Sequence, residues 1–208
     1  MLLLARVANV LTVAILLSEL TGPAASRPAA SRPPSGAAST TTNGAGGRGP
    51  PLPRASENLL DDPSFEASLG RWRASDGARL ARVSGGRSGS WAAGLASGIS
   101  ISPSMGIRDV RRCQSGRAYA VTVWLRASRP GTMVRVDLIE ESHGRRYAVD
   151  TAGAMLGGQH WEPLEVIHVT HRSGAALAIE VAAVELPADA TVFVDDLTLR
   201  VTKASSMP

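Results

Sequence analysis

Cysteine is nearly absent: the 208-residue chain has one, Cys113. A single thiol cannot close an intramolecular bridge. That excludes a disulfide framework, a Cys-based zinc site and a CxxC redox pair. Lysine is as scarce, since Lys203 is the only lysine among 22 basic residues. No G-x-S-x-G, no H-E-x-x-H and no Gly-rich phosphate loop occurs, which removes the common hydrolase, zincin and nucleotide signatures. Net charge is missing where it would count. The formal charge is +4, but five of the 22 basic and one of the 18 acidic side chains fall in residues 1–56, leaving 17 of each in 57–208. A formally neutral domain has no electrostatic footprint for a phosphate backbone, so nucleic acid is not an expected partner.

A membrane-length apolar run is also lacking at the start of the chain. Residues 7–17 (VANVLTVAILL) are short of the roughly 20 needed to cross a bilayer. With Arg6 before them and Gly22-Pro23-Ala24 after, residues 1–24 read as a signal peptide cleaved after Ala24. Secretion to the extracellular space or cell envelope follows, with no stable membrane insertion after cleavage; retention as an anchor is the alternative. Residues 25–56 are mostly Pro, Ala, Ser, Thr and Gly. Such a chain buries too little apolar surface to offset its ordering entropy and reads as a disordered spacer. Residues 204–208 form a tail.

From 57 to 203 the pattern changes to short apolar alternations separated by Gly, Pro, Ser and Asp clusters. This predicts an all-β fold, a sandwich or barrel. In 118–127, Tyr119, Val121, Val123 and Leu125 share one face, and Ala120, Thr122, Trp124 and Arg126 the other. In 133–140, Val134, Val136 and Leu138 alternate with Arg135, Asp137 and Ile139. Strands over 161–169, 177–184 and 191–201 follow, with Leu177, Ile179, Val181 and Ala183 toward the core. Period two over so many segments argues one buried and one solvated face.

Five segments then resemble, in order, a known family: Asn58-Leu59-Leu60-Asp61-Asp62-Pro63-Ser64-Phe65-Glu66 with Trp72; Arg87-Ser88-Gly89 with Ala93; Ser115-Gly116-Arg117-Ala118-Tyr119 running to Trp124-Leu125-Arg126-Ala127; Trp161; and Val192-Phe193-Val194-Asp195-Asp196-Leu197-Thr198-Leu199. Together they resemble carbohydrate-binding modules of the family 4/9/22 type. The resemblance implies a single galactose-binding-like jelly-roll β-sandwich over 57–203, and a polysaccharide or cell-surface glycan as partner.

The resemblance also implies a structural Ca²⁺ held by Glu66 and Asp195 with backbone carbonyls. By parity with Phe193, Leu197 and Leu199, Asp195 is expected to point inward. A hydrogen-bonded carboxylate pair without metal is the competing reading. Trp124 and Arg126, facing away from the core, are matched with Arg135 and Asp137 on the next strand. An indole flanked by planar charged groups can stack on a sugar and bind its hydroxyls. Trp91 and Tyr147 are further candidates in loop or edge contexts. Trp72, Trp161, Tyr119, Phe65 and Phe193 are expected to pack in the core. His168 and His171, three apart on a strand, should face opposite ways and share no metal. Glu140 and Glu141 should diverge likewise, so no catalytic pair is evident. The chain therefore reads as a secreted, monomeric, non-catalytic glycan-binding protein. A structural or protein-interaction sandwich of the cell envelope is the alternative.

Overall fold

Alternating strands dominate the computed structural model, which describes residues 57–75 and 77–203. The signal peptide, linker and tail expected over 1–24, 25–56 and 204–208 lie outside the described residues. The strands are β1 Arg73–Ala74, β2 Ala78–Ser84, β3 Trp91–Ser97, β4 Ser104–Arg112, β5 Ala118–Ala127, β6 Thr132–Ser142, β7 Arg145–Leu156, β8 Glu162–Val169, β9 Ala176–Val184 and β10 Thr191–Thr202. There is no helix among the described residues.

The strands form two antiparallel sheets. Sheet one has the order β1-β4-β9-β6-β7 and sheet two β2-β3-β10-β5-β8. Only β2–β3 and β6–β7 are hairpins within a sheet; every other connection from β3 onward crosses between sheets. Those crossings wrap one hydrophobic layer. Val121, Val123 and Leu125 of β5 are fully buried with Val134, Val136 and Leu138 of β6 and with Leu177 and Val181 of β9. Each such side chain contributes about 1.5–3 kcal/mol by leaving water. The alternation read for β5, β6 and β9 is the one observed.

One irregularity bears on the site. The pairing of β10 with β5 shifts register between Asp195 and Thr198, and Asp196 has a φ of 45°. A bulge of this kind inserts an extra residue and switches which side chains face inward. Before it Val192 and Val194 enter the core; after it Leu197, Leu199 and Val201 do. The inward parity expected for Asp195 therefore fails. It pairs with Trp124 on the outer side of sheet two. The segment before β1 laces onto the shifted part of β10. Asn58 Nδ2 donates to the Leu197 carbonyl at 3.0 Å, and Asn58 Oδ1 accepts from the Leu199 N–H at 3.0 Å.

Candidate functional site

A groove of about 530 Å³ crosses the outer face of sheet one. Its floor is low at Gly106 of β4 and Ala178 of β9, with Ile139 of β6 beside Ala178. A Cβ on Gly106 would come within 3.0 Å of the Ile179 carbonyl oxygen, so the close approach of β4 to β9 requires glycine here. Three ion pairs rise from this face. Glu141 of β6 accepts from Arg108 Nη1 at 2.9 Å, Glu180 of β9 pairs with Arg146 of β7, and Asp137 of β6 meets Arg135 Nε at 3.1 Å. Asp137 also accepts from Thr151 Oγ1 at 2.8 Å. Each carboxylate is the covered partner and each arginine the open one: the exposures are 9% and 67% for Glu141 and Arg108, and 4% and 45% for Asp137 and Arg135. A ligand in the groove would meet guanidinium groups first, with carboxylate oxygens beneath them. Among the described residues no aromatic side chain lines this groove.

The rings lie elsewhere. Trp124 and Arg126 project from the outer face of sheet two, because β5 and β6 belong to different sheets. The expectation that they share a face with Arg135 and Asp137 fails for that reason: period two specifies a side chain's face, not its sheet. Sheet two's outer face is roofed by its own arginines. Arg87, from the loop between β2 and β3, lies 3.5 Å over the Trp124 ring and donates to Asp196 Oδ2 at 2.7 Å. Arg126 lies over Phe193 at 4.4 Å and near Trp161 at 4.9 Å. Arg82 lies 4.1 Å over Trp91, the first residue of β3; both share the inward parity of Ala93 and Leu95, at the edge of sheet two rather than on its outer face. These cation–π stacks occupy the ring faces a sugar would use. Phe65, Trp72 and Tyr119 are buried as expected, whereas Trp161 and Phe193 are half-buried on this outer face. Tyr147 stands on the edge strand β7, with the Arg172 guanidinium 3.8 Å over its ring.

Glu66 and Asp195 both hold the β2–β3 loop. Asp195 Oδ2 accepts from the Arg87 N–H at 2.6 Å and Oδ1 from the Asp196 N–H at 2.8 Å. Glu66 Oε1 accepts from the Trp91 N–H at 3.0 Å and Oε2 from the Ser90 N–H at 3.3 Å. Burial pushes the Asp195 carboxyl above the usual range, against the lowering pull of the Arg87 and Asp196 N–H groups. Calcium needs 6–8 oxygen ligands, whereas each oxygen of this pair faces an N–H donor. The two carboxylates do not fit a calcium site; they fit a loop clamp.

Sequence reasoning missed a second cluster, at the flank where the sheets meet. Glu140 of β6 and His168 of β8 are fully buried, and half-exposed His171 follows β8. Their ligating atoms lie within 4.8 Å of one another. The divergence expected of His168 and His171 fails because β8 ends at Val169 and the chain turns, bringing both rings onto Glu140. Glu140 and Glu141 do diverge: Glu140 enters this flank and Glu141 the groove. Burial pushes the Glu140 carboxyl up, but the N–H groups of His171 and Arg172 and the two imidazoles outweigh it and hold it below the usual range. The Glu140 and histidine contacts are long-range, and no local motif announces them.

No family model and no curated protein matches the chain. Solved structures do. The CBM22-1 xylan-binding domain from Paenibacillus barcinonensis Xyn10C aligns with a TM-score of 0.60 at 15% identity, covering 74% of this chain and 100% of that one. TmCBM61, solved in complex with β-1,4-galactotriose, aligns with a TM-score of 0.53 at 19% identity over 71% and 100%. A family 16 carbohydrate-binding module aligns with a TM-score of 0.52 at 18% identity over 68% and 99%. The fold is thus a jelly-roll β-sandwich like that of these modules, the architecture the sequence resemblance implies. At these identities the likeness defines the architecture, and the binding face has to be argued from this chain's own side chains.

Proposed function

We propose that this chain is a secreted, non-catalytic carbohydrate-binding protein and that the groove on sheet one receives a polysaccharide or cell-surface glycan. The observation that carries the reading is the groove itself: a floor of Gly106, Ala178 and Ile139, walled by guanidinium–carboxylate pairs. Planar charged groups bind adjacent hydroxyls in pairs, donors from arginine and acceptors from carboxylate. Arg135 and Asp137, candidates from the sequence, stand on the same face of sheet one beside Glu180, outside the residues that line the groove. The likeness to modules described as binding xylan and galactotriose supports the same class of ligand. The carboxylates are engaged by arginines, an arrangement suited to recognition rather than to proton transfer. Trp124, Arg126 and Trp91 serve the structure of sheet two. No metal is needed for this binding, and the calcium expected at Glu66 and Asp195 plays no part in it.

The absence of a ring from the groove favours a second reading, a protein-interaction sandwich of the cell envelope. Retention of the full chain on insoluble polysaccharides, backed by an array of neutral and uronate-bearing glycans, separates the two. Glycan binding predicts retention of the parent and its loss in Glu180→Gln. No retention on any glycan, with a protein recovered from envelope extracts, supports the second reading.

A further inference from the structure

The flank cluster poses a proton-counting problem. His168 presents Nδ1 to Asp150 Oδ2 at 2.8 Å and Nε2 to Glu140 Oε2 at 3.3 Å. A neutral imidazole carries one N–H, so it can donate to only one of two carboxylates. If Nδ1 donates to Asp150, the Nε2 lone pair faces a carboxylate oxygen between two fully buried side chains. The same oxygen faces His171 Nδ1 at 3.2 Å. Three electron-rich atoms thus converge, two of them on fully buried side chains, and need either extra protons or a cation between them.

We propose that Glu140, His168 and His171 form a binding site for a zinc-class divalent ion. The spacing supports it. Ligands at about 2.0–2.1 Å from a tetrahedral zinc stand about 3.3 Å apart; the two imidazole nitrogens stand 3.3 and 3.2 Å from Glu140 Oε2. Asp150 occupies the place of the outer carboxylate that fixes tautomer and ring orientation in metal-bound histidines. Backbone donors from His171 and Arg172, at 2.8 and 2.7 Å, orient the glutamate. Two imidazoles and one carboxylate select zinc, cobalt or nickel over calcium or magnesium. The His171 side chain is 57% exposed, which leaves an entry path and an open coordination position. Glu140 and Asp150 belong to sheet one and His168 to sheet two. The ion would therefore staple β6 of sheet one to the end of edge strand β8 of sheet two, with no dependence on the groove's ligand.

The test uses the untagged full chain, stripped with a chelator and titrated with Zn²⁺ or Co²⁺. One equivalent of Zn²⁺ should bind at micromolar Kd or tighter and raise the melting temperature, and Co²⁺ should give the visible bands of a four-coordinate complex. Exposed His171→Ala should lower the apo melting temperature only slightly, weaken Zn²⁺ at least about tenfold and abolish the bands; Asp150→Asn should weaken it about tenfold. The proposal is overturned if the parent binds no equivalent, or if His171→Ala and His168→Asn bind as tightly as the parent. In either case doubly protonated imidazole is left as the account of the cluster.

Discussion

The outer faces of the two sheets are built from similar side chains and end in opposite states. Both are rich in arginine. On sheet two, Arg87 and Arg126 lie over Trp124 and Phe193, and the loop carrying Arg87 is pinned beneath by Glu66 and Asp195. On sheet one, arginines meet carboxylates across a floor of Gly106, Ala178 and Ile139, and the face stays open as a groove. The difference teaches that an outward tryptophan does not by itself mark a binding face. What matters is whether its ring has already found a partner.

Exchanging damage between the faces should break this contrast if it is wrong. The largest expected effect is on sheet one: Glu180→Gln and Glu141→Gln should each cut retention on a bound polysaccharide by at least about tenfold, the loss of a charge-assisted hydrogen bond, with little change in melting temperature. Trp124→Ala should do the reverse. It should cost about 2 kcal/mol by denaturant unfolding, below the 3–5 of a fully buried tryptophan because the ring is half-buried, and leave retention unchanged. Arg87→Ala removes one stack and one partly exposed ion pair, about 1 kcal/mol, again without effect on retention.

Titration gives a sharper contrast with smaller effects. The Asp195 carboxyl, under the roof of sheet two, is raised in the fold. Its contribution to stability is full below the ordinary aspartate range and is lost as pH rises through the folded value. Asp195→Asn should therefore gain on the parent as pH rises toward neutral. Glu140 is held low in the fold. Its contribution is present above the ordinary glutamate range and is lost as pH falls through the folded value, so Glu140→Gln should converge on the parent in acid. Urea unfolding of each variant against the parent across that range reads both slopes.

Much of the fold was legible because alternation is a local property. Strands β5, β6, β8, β9 and β10 fall within a residue or two of their expected spans. Strand β7 was not legible: it is an edge strand whose exposed face and small residues, Ala148, Ala152 and Gly153, blur the alternation. Arg135 and Asp137 were legible as outward residues. Their separation from Trp124 was not, since it depends on a crossing between sheets. Nor was the roof over Trp124, which comes from a distant loop, nor the bulge that keeps Asp195 out of the core. The histidine pair was misread because a strand's geometry was extended past Val169, where the chain turns.

Backbone amide shifts of the labelled full chain, titrated with an oligosaccharide of the polysaccharide that retains it, test the central claim most directly. Perturbations concentrated at Gly106, Glu141, Ala178 and Glu180, with Trp91 and Trp124 silent, are the result expected. Shifts clustered around Trp91 and Trp124 instead would place the ligand on the wrong sheet and contradict it.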